Sequence, residues 1–184
     1  MTPPGAAAVL RDQPAETIPA VAADGSLYPI DKMEAHRTGA LHLAVSVFVF
    51  SGDELLIQRR AAGKYHSGLQ WANTCCSHPQ WNEPIEVAAR RRLREELGCD
   101  LALRACAQLS YTAGVGQGLT ENEQVRVFRA DVNKHTLKLN PDPAEVAETR
   151  WAGLSTIRAE ATARPDDFTP WFRIYLARWS ELGL

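Results

Sequence analysis

Two adjacent cysteines and a nearby histidine, Cys75-Cys76-Ser77-His78-Pro79, are the first group in this chain with chemical potential. A cysteine two residues before a histidine can pair with it as nucleophile and base, or both can touch one metal ion. The plainer reading is a buried thiol beside a satisfied histidine. Downstream stands Glu121-Asn122-Glu123. In a strand, residues i and i+2 share a face, so both carboxylates can converge on one cation, and oxygen ligands suit Mg²⁺ or Mn²⁺. An exposed acidic strand start is the plainer alternative. His36 and His42 flank the start of an apolar run. Two imidazoles with a carboxylate make a mixed nitrogen and oxygen site, which favours Mn²⁺, Zn²⁺ or Fe²⁺ over Ca²⁺. Arg59, Arg60 and Lys64, joined by Arg92, can form a cationic pocket, because guanidinium groups bind phosphate oxygens in pairs. Two arginines in a row are otherwise an ordinary strand end.

These residues need elements to position them. Residues 41–50, LHLAVSVFVF, are β-branched and aromatic and predict a strand buried on both faces. Ser51-Gly52-Asp53 turns the chain, and residues 54–60 return as a hairpin partner. A loop over 61–70 carries Lys64, His66, Gly63 and Gly68, and 71–76 is short and extended. The clearest helix is 84–97, with Asn82 as N-cap, Pro84 in the first turn and Gly98 as the stop. Its Ile85, Ala89, Leu93 and Leu97 form an apolar stripe. At roughly 100° per residue, Glu96 falls about 60° from Leu93, beside the stripe, while Glu95 falls about 200° away and faces water. Arg92 and Glu96 are one turn apart and can pair. Strands are predicted near 101–112, 124–132 and around Trp151. Ser155 is a candidate cap for a short helix. Thr169-Pro170 opens a final helix whose Trp171, Ile174, Tyr175, Trp179 and Leu182 share an arc. Residues 1–20, rich in Ala, Pro and Thr, predict a poorly ordered tail with a short edge strand near Ile18. Residues 21–184 form a single domain in this reading. Strands and helices mix without strict alternation, so an α+β arrangement is favoured within the α/β class.

The chain has 184 residues and a net charge of -2, from 20 basic and 22 acidic side chains. That balance creates no broad cationic field for nucleic acid or membrane lipid. No apolar run of about 18 residues is present, so no membrane insertion is expected. Four cysteines, two of them adjacent, read as reduced thiols of a cytoplasmic protein.

Taken together the pieces resemble one family. The helix region resembles a degenerate Nudix box: Ser77 stands for its opening Gly, and Glu83, Arg91, Leu93, Glu95, Glu96 and Gly98 match. Arg92 replaces the Glu that Nudix hydrolases use in their metal cluster. The departures resemble type I isopentenyl-diphosphate isomerases. The matches run in order from Lys32-Met33-Glu34-Ala35-His36-Arg37 through Leu41-His42, Arg59-Arg60 and Lys64-Tyr65-His66-Ser67-Gly68. They continue in Asn73-Thr74-Cys75-Cys76-Ser77-His78-Pro79 and Glu121-Asn122-Glu123, covering roughly residues 20–180.

The resemblance implies a Nudix-like fold, a mixed sheet sandwiched between helices. It implies an isomerase of isoprenoid biosynthesis that converts isopentenyl diphosphate to dimethylallyl diphosphate, with a small-molecule allylic or homoallylic diphosphate as its partner. His36, His42, His78, Glu121 and Glu123 would hold one divalent metal, Mn²⁺, Mg²⁺ or Zn²⁺. Glu96 would hold a Mg²⁺ bridged to the diphosphate. Cys76 and Glu123 would be the catalytic pair, with Tyr111 hydrogen-bonding beside the acid. Arg60, Lys64 and Arg92 would grip the diphosphate, and Trp171 would face the cationic intermediate. His66, His135, Cys75, Cys99 and Cys106 remain as structure. The alternatives are a Nudix diphosphate hydrolase, favoured by Glu95-Glu96 and opposed by Arg92, and a catalytically dead binding module, which the full set of ligand positions opposes.

Overall fold

The computed structural model describes residues 16–184. Of the expected tail, residues 1–15 lie outside the described residues. The segment around Ile18 does become a strand, β1 (Thr17–Val21). It is not an edge: β2 (Leu27–Asp31) pairs along one side and β3 (His42–Ser51) touches the other. Ile18 and Ala20 are fully buried, so the folded body already includes Thr17–Ala20, ahead of the expected boundary at 21. Asp31 caps a helix the sequence reading did not predict, α1 (Lys32–Thr38), which ends on left-handed Gly39. After β3 come β4 (Glu54–Arg60), β5 (Trp71–Ala72) and β6 (Cys75–Ser77). Helix α2 (Ile85–Leu97) follows, then β7 (Arg104–Gly116), β8 (Leu119–Asp131), β9 (Val146–Gly153), α3 (Leu154–Ala163) and α4 (Pro170–Ala177).

Among the described residues the strands join in one mixed sheet, and β3 is its axis. One edge of β3 pairs parallel with β8 over its whole length, His42 opposite Glu123 and Phe50 opposite Asp131. The other edge is shared by β1 at its start, β6 in the middle and β4 at its end. Both faces of β3 are therefore covered, which explains its continuous apolar run. Val45, Val47 and Val49 share a core with Ala88, Ala89, Leu93 and Leu97 of α2. Ala44, Phe48 and Phe50 share the opposite core with Ile157 of α3 and Trp171, Phe172, Tyr175 and Leu176 of α4. The sheet is thus sandwiched between α2 on one face and α3 with α4 on the other, as the α+β reading expected.

Several boundaries differ. Pro84, not Asn82, occupies the N-cap of α2, and Asn82 sits instead at φ 64°. Proline fixes its own φ but offers no side-chain oxygen, so the helix start lacks a side-chain cap. Ser155 lies inside α3, whose N-cap is Gly153. Thr169 does cap α4 through Phe172 N, but the helix stops at Ala177 and Trp179–Glu181 forms a 3-10 turn. The two predicted strands near 101–112 and 124–132 are one long hairpin, β7 and β8, turning at Gln117-Gly118.

Candidate active site

Strand parity assembles the site. On β3, residues 42, 44, 46 and 48 face α4, and this even set carries His42 and Ser46. Strand β6 registers Cys76 against Ser46 and Cys75 against Val47. Cys76 therefore faces α4, while Cys75 enters the α2 core, as extended geometry requires. Strand β8 alternates from Leu119 to Val127, with Leu119, Glu121, Glu123 and Val125 buried. Tyr111 of β7 lies directly opposite Glu123. Helix α1 brings His36 over the end of β8. These elements surround one pocket. Its walls include Cys76, His78, Tyr111, Glu121 and Glu123, the cations Lys32, Arg60, Lys64 and Arg92, and Glu96, His66 and Trp171.

Three imidazoles converge on Glu121. Their Nε2 atoms lie 3.1 Å (His36), 3.7 Å (His42) and 3.9 Å (His78) from Glu121 Oε2. The four ligand atoms lie within 4.8 Å of one another, and all four residues are buried. His36 Nδ1 lies 2.6 Å from Lys32 O, and His42 Nδ1 lies 2.8 Å from Ala40 O. A carbonyl only accepts, so each Nδ1 carries the proton and each Nε2 turns a bare lone pair toward a carboxylate. His42 Nε2 and Glu121 Oε2 are buried without a hydrogen-bond partner. Lone pairs facing lone pairs in a buried space fit a divalent cation between them, and the backbone carbonyls behind the rings are the outer support such ligands use. Glu123 Oε1 lies 2.9 Å from His78 Nε2 and 3.8 Å from His42 Nε2, at the edge of this group.

Burial penalises ionisation in both carboxylates. At Glu123 burial and the adjacent Glu121 charge push the carboxyl well above its ordinary range. Its Oε2 accepts the Tyr111 hydroxyl. Cys76 is held from two sides. Asn73 Nδ2 donates to Val47 O and Cys75 O, which turns its Oδ1 toward the thiol, 2.8 Å from Cys76 Sγ. Ser46 Oγ lies 3.0 Å from the same sulfur and donates to the Tyr175 hydroxyl at 2.9 Å. Burial pushes the Cys76 thiol up to about 12.

At the other end, Glu96 is 5% exposed. Arg92 Nη2 reaches its Oε1 at 2.9 Å and Gln58 Nε2 reaches its Oε2 at 2.8 Å. Glu95 faces water, as helix geometry predicts, and binds Arg91 and Arg92. Arg60 is buried and its guanidinium lies 5.1 Å from the Trp171 ring centroid. Arg59 points away, donating to Leu69 O. Lys64 and Arg92 share a further partner, Glu145 Oε2 at 2.5 Å and Oε1 at 3.5 Å respectively.

Sequence reasoning missed Ser46, Gln58, Asn73, Glu145 and Tyr175 as supports behind the pocket's lining residues, and left His66 as structure. Ser46 carried a signal: it is a polar residue within a strand whose neighbours on the same face, Ala44 and Phe48, are apolar. Glu145 carried none, because its place depends on a loop that returns from β8.

The chain was then compared with known proteins. The NUDIX domain matches residues 40–172. An isopentenyl-diphosphate delta-isomerase of Cereibacter sphaeroides is 52% identical over 159 residues, covering 86% of this chain and 89% of the relative. The same-named protein of Rhodobacter capsulatus is 46% identical over 168 residues, covering 91% and 94%. A solved Deinococcus radiodurans structure superposes with a TM-score of 0.65 at 18% identity, covering 80% of this chain and 90% of that one. A MutT protein from Methanosarcina mazei gives 0.61 at 16%, covering 76% and 93%. At those identities the two structures speak for the fold alone, and the fold is the one the sheet and its flanking helices already displayed. The longer sequence matches reach further, and with them the chain belongs to the isopentenyl-diphosphate delta-isomerase family within the NUDIX domain proteins.

Proposed function

We propose that this chain isomerises isopentenyl diphosphate to dimethylallyl diphosphate by adding a proton at one end of the alkene and removing another from the adjacent methylene. The observation that carries the reading is the meeting, in one buried pocket, of a carboxyl hydrogen-bonded by Tyr111, a thiol and a cationic wall. An unactivated alkene is a weak base, so protonation needs a positioned acid, a stabilised cation and little water. Glu123, whose carboxyl burial and the Glu121 charge push above its ordinary range, is the acid, and Tyr111 fixes one of its oxygens. Cys76 accepts the second proton as base. Its thiol must ionise first, and burial opposes that until positive charge comes close. The face of Trp171 stabilises the tertiary cation by its quadrupole.

Arg60, Lys64 and Arg92 hold the diphosphate, which stays intact and serves as an anchor that orients the reacting carbons. His36, His42, His78 and Glu121, with Glu123 beside them, would hold a divalent ion, Mn²⁺, Mg²⁺ or Zn²⁺ by their ligand types. Glu96, held between Arg92 and Gln58, would hold a diphosphate-bridged Mg²⁺. Such ions supply fixed positive charge that lowers the cost of ionising groups beside them. The ligand is a small diphosphate, and no helix of the described residues is long and apolar enough to cross a membrane. Reduced cysteines agree with a cytoplasmic setting.

The test is turnover of isopentenyl diphosphate in D₂O, with and without chelator. Deuterium should enter the new methyl group of dimethylallyl diphosphate, and chelator should abolish it. Release of inorganic phosphate or pyrophosphate, with no allylic product, would instead make the chain a hydrolase.

A further inference from the structure

Lys64 and Arg92 reach the pocket from different elements, the loop after β4 and helix α2, and both line it. Two like charges facing one small cavity repel each other. A single carboxylate meets both. Glu145 Oε2 lies 2.5 Å from Lys64 Nζ, and its Oε1 lies 3.5 Å from Arg92 Nη2. The side chains of Lys64, Arg92 and Glu145 are 15%, 16% and 24% exposed, so salt screens these pairs less than it screens surface ones. Glu145 does not line the cavity; it stands behind the two cations.

The backbone that carries Glu145 is tied to both of the elements that carry its partners. Ala61, at the start of the Lys64 loop, donates its N–H to Glu145 O at 2.9 Å, and Lys64 N reaches Ala61 O at 3.3 Å. At the end of α2, Leu97 O accepts from Asn140 N at 2.9 Å and Glu96 O from Asp142 N at 3.0 Å. Glu145 N then closes a turn onto Asp142 O at 2.9 Å. The carboxylate is therefore delivered to a fixed place between the two cations.

Donors remain for a ligand. An ammonium group has three, and among the described residues Lys64 Nζ gives one hydrogen bond, to Glu145. Arg92 directs Nη1 to Glu95 and Nη2 to Glu96, while its Nε is buried with no partner. A carboxylate that merely stood in for the ligand would occupy the cavity and exhaust these donors. Glu145 does neither.

We propose that Glu145 is a positioning residue for diphosphate binding: from behind, it holds Lys64 and Arg92 at one spacing before the anion arrives. This rests on the reading of those cations as the grip on a diphosphate. Charge alone predicts the opposite effect of removing it. Loss of a carboxylate makes the wall more positive and should tighten an anion, whereas loss of positioning should weaken it.

The experiment is a calorimetric titration with inorganic pyrophosphate in the presence of Mg²⁺, for wild type, Glu145→Gln and Glu145→Asp. Thermal unfolding checks that each variant is folded. Glu145→Gln keeps the shape and loses the charge; Glu145→Asp keeps the charge and, on a pinned backbone, loses the reach. Both should weaken pyrophosphate binding about 10-fold. With isopentenyl diphosphate, KM should rise by a similar factor while kcat stays within about threefold, because the lost interaction serves binding rather than the chemical step. In a Lys64→Met background, Glu145→Gln should cost about threefold or less, because its main partner is already gone. If Glu145→Gln does not fold, Glu145→Asp takes its place in that comparison. Wild-type or tighter pyrophosphate binding in either variant would overturn the positioning role. An undiminished loss in the Lys64→Met background would overturn it too, by making Glu145 a structural residue. Absence of pyrophosphate binding in wild type would overturn the diphosphate reading of the cationic wall, and the role of Glu145 with it. The binding measurement needs no turnover, so a chain that binds pyrophosphate without isomerising would fail the isomerase reading and still decide this one.

Discussion

A thiol and a carboxyl share the floor of this pocket, and burial raises both above their ordinary range. Their neighbours then distinguish them: Cys76 rests between Asn73 and Ser46, and Glu123 between Tyr111 and His78. Cys76→Ala should reduce isomerisation about 10²–10⁴-fold with metal content unchanged. Cys75→Ala should keep most activity and cost about 1–2 kcal/mol of stability, since its buried thiol faces the α2 core rather than the α4 side. Equal loss of turnover in both would contradict the parity of β6. Glu123→Gln should lose turnover together with solvent-deuterium incorporation; retained exchange would move the acid elsewhere. Tyr175→Phe removes the partner of Ser46 without touching substrate, so kcat should fall several-fold while KM holds. The residues named by motif were legible because their types are rare and their spacing is fixed. Ser46 and Tyr175 were not, because 129 residues separate two hydroxyls that meet at 2.9 Å.

Helix α2 carries the pocket's far wall, and its two ends are held differently. Glu83, just before the helix, receives Arg91 Nε at 2.7 Å and Nη2 at 2.8 Å, which together hold its carboxyl below the ordinary range. A carboxyl depressed in the folded state stabilises above its unfolded value, near 4.5, and loses that contribution as pH falls through the folded value. Glu83→Gln should therefore lower stability by about 1 kcal/mol at pH 7, and the difference should vanish in acid, below the folded value. Denaturant unfolding at pH 7 and in acid checks it; a constant difference would mean that charge is not the cause. At the other end Gly98 takes φ 66°, and a Cβ there would lie 2.5 Å from Asn140 O. Asn140 N and Asp142 N bond to Leu97 O and Glu96 O, so the same junction seats the segment that delivers Glu145 to Lys64. Gly98→Ala should cost more than the roughly 1–2 kcal/mol of left-handed backbone alone and should weaken substrate binding at a distance. The apolar stripe and the glycine stop made this helix legible. The start at Pro84 was misplaced because proline and asparagine both suit that turn, and only the chain's path selects between them.

At the scale of the whole molecule, the C-terminal segment is part of the body rather than a detachable cover. Trp171, Phe172, Tyr175, Leu176 and Leu182 are buried in the core on the α4 face, and Thr169 N bonds to Trp71 O. Ending the chain after Phe168 should expose that core and abolish cooperative thermal unfolding; a folded, inactive product would instead make the segment a separable cover. The near-zero net charge is likewise a sum of separate regions: cations at Arg60, Lys64 and Arg92 stand opposite carboxylates at Glu96, Glu121 and Glu123. By itself the sequence determined the family resemblance, the buried axis strand, the amphipathic α2 and the identity of the ligand-type residues, because composition, periodicity and spacing are local properties of the chain. Only the tertiary structure decided which of them meet. The parallel pairing of β3 with β8 sets His42 beside Glu123, and the loop after β4 folds His66 onto Glu121. Those contacts depend on strand order and loop path, which arise when separate apolar faces are buried together and which no local pattern encodes.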